Sequence, residues 1–279
     1  MKLSIIDAGN FMCDGGAVFG VVPKKMWEKQ YPCDEENFCN LAMRCLLIDT
    51  GDRRILIDTG VGNKQSEKFY SYYKLNGEAT LAGSLTKAGY SPGDITDVVL
   101  THLHFDHCGG CVEWDDTQQP KLVFPHADYW VSQDQWDNYL DPNVREGAVY
   151  FPENMMPIKE ANRLKVVEAS GEWLPGVELR LFNGHTPGQI VPVIHYKDKT
   201  IAYMGDLIPV AASMPLPWVS AYDVNPLASM KEKETFLEEA AQNGYILFFE
   251  HDLYNQCCTV TSTEKGIRCD ETFPLSTIL

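Results

Sequence analysis

The sequence predicts a layered α/β fold built from two similar halves. Short apolar segments rich in β-branched residues alternate with stretches of helical periodicity along the 279 residues, and this alternation is typical of α/β proteins. The same order of strand, tight polar turn, strand and acidic residue occurs twice, in CLLIDTGDRRILIDTG and in VPVIHYKDKTIAYMGD. Because no linker rich in Pro, Gly or Ser separates the halves, we predict a single domain over residues 1–279.

Five predicted strands run into a residue that can bind a metal ion. Each strand is short and apolar, and a glycine or polar break follows it. In α/β folds the chemistry is found where strands end in loops, so we expect these five ends to share one pocket. The five residues are Asp58 after RRILI, His102 after DVVLT, His185 after VELRLFNG, Asp206 after TIAYMG and His251 after YILFFE.

Three stretches have the start and stop signals of helices. PLASMKEKETFLEEAAQNG places apolar side chains largely at helical spacing, begins after Pro226 and stops at Gly244, which is the usual asymmetry of helix ends. Residues 80–88, closed by Gly89, are similar, and WVSQDQWDNYL is the third. Residues 140–160 contain three prolines, so we predict an irregular cap beside the pocket.

Composition excludes several classes of protein. The 23 Lys+Arg against 39 Asp+Glu give a net charge of −16, which repels phosphate backbones and disfavours nucleic acid as a partner. No apolar run approaches the ~18 residues that a membrane span needs. Asp7 interrupts the apolar start too early for a signal peptide. We therefore expect a cytoplasmic protein that acts on a neutral or cationic small molecule.

The nine cysteines are expected to be free thiols, since they show no framework spacing apart from Cys108-x-x-Cys111. A redox role for that pair is an alternative that the absence of a second such motif disfavours. The adjacent Cys257 and Cys258 are interpreted as structural.

The segment THLHFDHCGG carries the strongest chemical signal. His102 and His104 are two residues apart, so an extended chain places them on one side, and Asp106 and His107 can then turn toward a neighbouring position. Imidazole and carboxylate groups suit Zn²⁺ and are acceptable to Mn²⁺ or Fe²⁺. The two glycines that end the segment allow a tight turn and close packing. The alternative is a polar loop that happens to contain histidines.

His185, Asp206 and His251 extend this set to seven candidate ligands. Taken singly, each would more often be a structural or surface residue. Seven ligands together satisfy two adjacent ions, because a carboxylate can bridge. Of the two other histidines, we place His126 between a strand and a helix as a structural residue and His195 in solvent. The predicted arrangement is His102, His104 and His185 on the first ion, Asp106, His107 and His251 on the second, and Asp206 across both.

These residues resemble the signature of the metallo-β-lactamase superfamily: HxHxDH, a His after a strand, a Gly-Asp and a late His. The resemblance runs from the LIDTG strand to FEHD. It implies an αβ/βα four-layer sandwich with a binuclear site, usually of zinc, between the halves. Asp58 matches the family's early Asp, which orients ligands; a plain turn residue is the alternative.

The segments GGAVFGVVPKKMW and EHDLYNQCCTV resemble the lactonase branch, which cleaves N-acyl homoserine lactones (quorum quenching) and includes related phosphotriesterases. By analogy with that branch, the resemblance implies a homodimer. Some of these lactonases carry a Tyr three residues after the bridging Asp, where this chain has Pro209. Tyr222 is a candidate substitute, with a packing role as the alternative. The bridging Asp206 disfavours β-lactamase activity, and His104 disfavours the di-iron redox branch.

We therefore predict a metal-dependent hydrolase that opens a lactone ester by attack of a hydroxide bridging two divalent ions. Asp106 is the predicted catalytic residue, because it can relay a proton to the leaving alkoxide. Phe19, Phe105 and Trp218 are candidates to line an acyl or aryl pocket, with core packing as the alternative. Other possible functions are a phosphotriesterase, a glyoxalase II-type thioesterase, or a non-catalytic metal-binding or ligand-sensing protein.

Overall fold

The computed structural model describes all residues from Met1 to Leu279. The chain forms two compact units, each assembled from two stretches of sequence. The first unit contains the first predicted hairpin, and the second unit contains the other. The first unit comprises Met1–Asn10 and Met43–Ala169, and the second comprises Phe11–Ala42 and Ser170–Leu279.

Strands and α-helices are interspersed along the chain, as predicted, except that β8 to β12 follow one another without a helix. The strands are β1 (Lys2–Asp14), β2 (Phe38–Asp49), β3 (Arg54–Ile57), β4 (Asp97–Val99), β5 (Val112–Trp114), β6 (Pro120–Leu122), β7 (Asp128–Ser132), β8 (Leu164–Val167), β9 (Gly171–Leu174), β10 (Val177–Phe182), β11 (Gln189–Tyr196), β12 (Lys199–Tyr203), β13 (Ile246–Phe248), β14 (Cys257–Thr263) and β15 (Gly266–Phe273). The α-helices are α1 (Gly15–Phe19), α2 (Lys24–Trp27), α3 (Glu67–Tyr73), α4 (Leu81–Ala88), α5 (Phe105–Cys108), α6 (Gln133–Leu140), α7 (Pro152–Glu160) and α8 (Pro226–Asn243).

A sheet in the order β1-β2-β3-β4-β7-β8 organises the first unit. The predicted hairpin is present: β2 and β3 pair antiparallel with Asp49 opposite Arg54. From β3 onward the neighbouring strands are parallel, and their apolar side chains form a buried core that includes Leu56, Val98 and Val131. Parallel strands need crossover connections, and α4 and α6 lie in these connections.

A sheet in the order β15-β14-β13-β12-β11-β10-β9 organises the second unit. The second predicted hairpin joins β11 to β12, with Tyr196 opposite Lys199. The connection through α8 then makes β13 parallel to β12. Phe236, Leu237 and Ala240 of α8 belong to a buried core together with Val191 of β11, so these apolar positions face the sheet as their spacing predicts. Leu227 in the first turn is 74% exposed.

The three predicted helices form, with the ends that their sequences indicate. Thr80 caps α4 by accepting a hydrogen bond from the backbone N–H of Gly83. Gly89 ends the same helix in the left-handed region at φ 90°. In α8 the cap is Asn225, and Gly244 ends the helix at φ 65°. The third helix, α6, begins after Ser132, because the first three residues of WVSQDQWDNYL belong to β7.

The prediction of an irregular segment over residues 140–160 is wrong for its second part, where α7 forms. Pro152 occupies the start of the helix, where the N–H that proline lacks has no helical partner to bond. Met155 and Ile158 are fully buried in the core of the first unit. Burial of this apolar face stabilises a helix that contains a second proline, Pro157. The part before α7 is irregular.

None of the helices combines the length and the apolar character that a membrane crossing requires. All nine cysteines are free thiols, and Cys257 and Cys258 are buried in β14, in keeping with a structural role. Burial raises the pKa of Cys111 to about 12, and it raises that of Cys108 as well. Both therefore stay protonated at neutral pH, which argues against a redox pair.

Candidate metal centre

In the first unit the chain after β4 carries four candidate ligands in six residues. His102 and His107 are fully buried and His104 is 8% exposed, whereas the side chain of Asp106 is 13% exposed. Leu103, between the first two histidines, is buried in the apolar core. The extended backbone thus turns its histidines one way and its leucine the other, as the spacing predicts.

Gly109 and Gly110 hold this segment against the end of β3. A Cβ on Gly109 would lie 2.1 Å from the carbonyl oxygen of Val61, and one on Gly110 would lie 2.2 Å from that of Thr59. The close packing expected of these glycines is therefore present. Any side chain at either position would push the histidine segment away from the strand end.

Asp58 and Thr101 determine which nitrogen of His102 and His107 can bind a metal. Asp58 accepts hydrogen bonds from the Thr101 hydroxyl (2.7 Å) and backbone N–H (2.8 Å). Its Oδ2 also lies 3.1 Å from Nδ1 of His107. Because Thr101 gives its hydroxyl proton to Asp58, its oxygen must accept from Nδ1 of His102, 3.1 Å away. Both imidazoles then have Nε2 as the nitrogen with a lone pair.

Glu146 likewise determines which nitrogen of His104 can bind a metal, but it contacts the opposite ring nitrogen. Its Oε1 lies 3.2 Å from Nε2 of His104, so Nδ1 carries the lone pair. That nitrogen lies 3.0 Å from Nε2 of His102. Two lone pairs that face each other at this distance repel unless a cation lies between or beside them. A proton or a metal ion can supply that charge, and two imidazole nitrogens at this spacing are typical metal ligands.

In the second unit Asp206 lies between two histidines. Its Oδ2 is 3.2 Å from Nε2 of His185, and its Oδ1 is 3.1 Å from Nε2 of His251. Asp223 accepts from Nδ1 of His185 at 2.9 Å, and the carbonyl of Ala42 accepts from Nδ1 of His251 at 2.8 Å. As neutral imidazoles these rings would present lone pairs to a carboxylate, so positive charge, from a second ring proton or from a metal ion, is needed to bring these groups together.

This donor set fits divalent metal ions. Groups of three histidine and carboxylate side chains have their ligand atoms within 4.8 Å of one another, and each of the seven predicted ligands belongs to such a group. Nitrogen and carboxylate donors at this spacing suit Zn²⁺, and also Mn²⁺ and Fe²⁺.

Asp58 has an unusual backbone conformation for a residue that is not glycine. Its φ is 57°, in the left-handed region, and its side chain is fully buried. This conformation is tolerated by short polar side chains that bond locally, and here it aims the carboxylate at Thr101 and His107. The contacts are those of a residue that orients a ligand.

The other two histidines lie away from these groups. His195 is exposed and contacts the Thr200 hydroxyl, as its position before a hairpin turn predicts. His126 is also exposed. It lies between the strands β6 and β7, and not between a strand and a helix as predicted, because the following residues continue into the parallel sheet.

Among the predicted pocket aromatics, Phe19 is fully buried. It stacks on Trp27 with ring centroids 5.0 Å apart, so it fills the core and offers no surface to a substrate. Phe105 packs against Tyr73 at 4.7 Å. Trp218 is partly exposed and lines a small cavity together with Pro209 and Asp206.

Tyr222, the candidate substitute for the tyrosine that some lactonases carry where this chain has Pro209, is 44% exposed. Its backbone N–H donates to the Ser220 hydroxyl.

Sequence reasoning missed three residues that hold the candidate ligands: Thr101, Glu146 and Asp223. Thr101 could have been recognised from its place between the strand and His102. Nothing in the sequence around Glu146 or Asp223 distinguishes them from the other acidic residues of a chain with 39 Asp+Glu.

Residues 44–251 match the metallo-beta-lactamase superfamily. An N-acyl homoserine lactonase of Bacillus cereus is 25% identical over 270 residues, which span 90% of this chain and 93% of the relative.

Two solved structures share the fold over nearly the whole chain. A probable metal-dependent hydrolase from Staphylococcus aureus has a TM-score of 0.88 and 32% identity, with 98% of both chains covered. AidC, described as a dizinc quorum-quenching lactonase in complex with the product N-hexanoyl-L-homoserine, has a TM-score of 0.79 and 25% identity, covering 98% of this chain and 97% of its own. The predicted fold class is confirmed by these matches.

Proposed function

We propose, from the premise that the chain belongs to the metallo-β-lactamase superfamily, that it is a binuclear metal-dependent hydrolase that opens lactones of the N-acyl homoserine type. The lactonase relatives support the substrate class, and the dizinc structural relative supports two ions of Zn²⁺.

One observation carries the metal-dependent part of the proposal: in both units, imidazole nitrogens that can bind a metal lie about 3 Å from another potential ligand atom. His102 and His104 do so at 3.0 Å, and His185 faces Asp206 at 3.2 Å. Each ring has its remaining nitrogen bonded to a fixed acceptor. Such pre-oriented rings are what a metal centre needs, and they are costly for a protein that binds no cation.

All seven candidate ligands would hold the proposed ions, and Asp206, with one oxygen beside His185 and the other beside His251, would serve both. When bound, the two ions would polarise the ester carbonyl and lower the pKa of a coordinated water toward neutrality. The residues for this role are His102, His104, His185, Asp106, His107, His251 and Asp206.

Asp106 is the residue that we propose moves the proton. In lactone hydrolysis the oxygen of water joins the carbonyl carbon, the ring C–O bond breaks, and the leaving oxygen must gain a proton. Asp106 is acidic and the most exposed of the HxHxDH ligands, at 13% of its side chain. It can therefore accept the proton of water and return it to the alkoxide. The net charge of −16 favours neutral substrates over anionic ones.

A phosphotriesterase and a glyoxalase II-type thioesterase remain alternatives, because a pair of metal ions also stabilises attack at phosphorus or at a thioester. No feature of the described residues favours either over the lactonase. A small neutral ester as the partner, the homodimer and the cytoplasmic location stay predictions.

Metal analysis and a substrate panel test the proposal. Purified protein should contain close to two equivalents of Zn, Mn or Fe. Steady-state assays should give a higher kcat/KM for a long-chain acyl homoserine lactone than for an aryl phosphotriester or a glutathione thioester. Chelation should abolish turnover and added Zn²⁺ should restore it. A metal-free preparation with full activity would overturn the proposal, and a preference for the phosphotriester or thioester would replace the lactonase with that alternative.

A further inference from the structure

We propose that Glu146 is a positioning residue of the metal centre: it holds the imidazole of His104 with Nε2 protonated and Nδ1 directed at a metal ion. The inference rests on the proposed function and adds to it a part of the chain that the metal-binding motif does not contain. Glu146 follows His104 by 42 residues, in the irregular stretch between α6 and α7.

Glu146 is a buried carboxylate surrounded by hydrogen-bond donors. It is 2% exposed. Its Oε1 lies 2.7 Å from the hydroxyl of Tyr150 and 3.2 Å from Nε2 of His104. Its Oε2 accepts from the side-chain amides of Asn138 (3.1 Å) and Asn143. An ionised carboxylate accepts all four bonds, whereas a protonated one would have to use an oxygen as donor.

The donors around Glu146 are themselves held in place. The Tyr150 oxygen accepts from the side-chain amides of Gln135 (3.0 Å) and Asn138 (2.9 Å). Its own proton therefore goes to Glu146. Gln135 and Asn138 lie on α6, whose first turn is capped by Ser132. A rigid helix thus fixes the carboxylate, and the carboxylate fixes the histidine.

This arrangement has two chemical consequences for His104. The proton stays on Nε2, so the lone pair of Nδ1 points toward Nε2 of His102, 3.0 Å away. A carboxylate behind the ring also raises the basicity of the nitrogen that binds the metal. Tyr150 packs on the ring with centroids 5.4 Å apart, which limits its rotation. His104 depends on these contacts for its orientation as a ligand.

Asp97 provides a matched control. It is a fully buried carboxylate of the same unit and is held by Arg53 (2.8 Å from Nε), Trp130 and Thr96. Loss of its charge should destabilise the fold as loss of Glu146 does, but without an effect on metal binding.

The experiment measures the affinity for Zn²⁺ alone, by competition with a chromogenic chelator, in the full-length wild type and in Glu146→Gln, Tyr150→Phe, His104→Ala and Asp97→Asn. We expect Glu146→Gln to weaken one of two zinc sites by about 10–100-fold and to leave the other unchanged. Tyr150→Phe should weaken the same site by less, and Asp97→Asn should stay within twofold of wild type. In ¹⁵N spectra of the zinc protein, His104 should show a protonated Nε2, and Glu146→Gln should shift that signal.

The outcomes separate this inference from the proposed function. If wild type binds no zinc, both fail. If wild type binds two ions and His104→Ala loses one, while Glu146→Gln and Tyr150→Phe keep both affinities within twofold, only the role of Glu146 is refuted. If Glu146→Gln does not fold, the zinc affinity of Tyr150→Phe and the ¹⁵N spectrum of the wild type take its place. An unchanged affinity together with an Nε2 of His104 that carries no proton would then refute the role of Glu146.

Discussion

Each candidate histidine ligand is held through its second nitrogen by a different acceptor. The acceptors are a hydroxyl, three carboxylates and a backbone carbonyl, so no single motif encodes them. Their shared effect is that every ring has one defined tautomer. The pairs are His102 with Thr101, His104 with Glu146, His107 with Asp58, His185 with Asp223 and His251 with the carbonyl of Ala42.

Asp106→Asn should abolish turnover and leave the fold intact. Asparagine keeps the size of the side chain but cannot accept and return a proton, and it is a weaker metal ligand. We expect kcat to fall by at least about 10²-fold, since general acid–base catalysis contributes 10²–10⁴, with a circular dichroism spectrum like that of wild type.

His126→Ala is the control for this substitution, because it removes an exposed histidine away from the ligands. Its metal content and kcat should equal those of wild type. Near-normal activity of Asp106→Asn would remove Asp106 from the mechanism, and loss of metal in His126→Ala would show that the histidines are wrongly assigned.

The same order of elements places acidic and imidazole groups together in each unit. A hairpin is followed by a crossover containing a helix and by a strand parallel to the hairpin's second strand, in β2–β3 to β4 and in β11–β12 to β13. Because parallel neighbours end at the same edge of a sheet, the residues that follow them meet. Asp58 thus reaches Thr101 beside His102, and Asp206 reaches His251.

Gly110→Ala should displace the ligand segment, whereas Gly244→Ala should not. The new Cβ at Gly110 would meet the Thr59 carbonyl at 2.2 Å, so backbone must move. We expect a loss of at least about 2 kcal/mol in the free energy of unfolding, as for severe overpacking, together with loss of bound zinc.

At Gly244 no atom lies within 4 Å of a new Cβ. Alanine there should lower the free energy of unfolding by only about 1 kcal/mol, because a residue with a side chain must adopt the left-handed backbone conformation at the helix end. Urea denaturation and metal analysis of both variants check this pair. Full zinc content in Gly110→Ala would contradict the close-packing argument.

Lys233 of α8 should make stability depend on pH in the alkaline range. Its ammonium is buried and donates to the carbonyls of Ser213, Pro215 and Trp218 at 2.9–3.1 Å. Burial lowers its pKa to about 8, against about 10.4 in an unfolded chain. Between these values the unfolded state binds more protons, so this group's contribution to the free energy of unfolding rises with pH.

Comparison of wild type with Lys233→Met tests this group, because the titrations of all other groups cancel in the difference between their free energies of unfolding. The free energy of unfolding of wild type minus that of Lys233→Met should increase from pH 8 to pH 10. A difference that stays flat across that range would mean that the lysine keeps an ordinary pKa.

The seven candidate ligands are divided between the two units, four in the first and three in the second. Each unit has its own apolar core and can bury apolar surface without a metal. Metal ions that bind the proposed ligands in the native state should stabilise the molecule in addition to the two cores.

Removal of metal should lower the melting temperature. A ligand at 1,000 times its Kd stabilises the native state by about 4 kcal/mol per site, so calorimetry should show a clear upward shift when zinc is returned to chelated protein. His126→Ala should show the same shift as wild type, and His104→Ala a smaller one. Equal melting temperatures with and without zinc would argue against a native-state metal site.

Local signals in the sequence predict the strands, the two hairpins, the capped helices and the alternation of His102, Leu103 and His104, because each depends on residues a few positions apart. The ordered spacing of the histidines and acids also indicates the family. The sequence does not show that Phe19 is buried or that α7 forms, since both depend on packing against distant residues. Nor does it show that Glu146 faces His104 across 42 residues or Asp223 faces His185 across 38. Those contacts arise from the path of the folded chain, which no short-range pattern specifies.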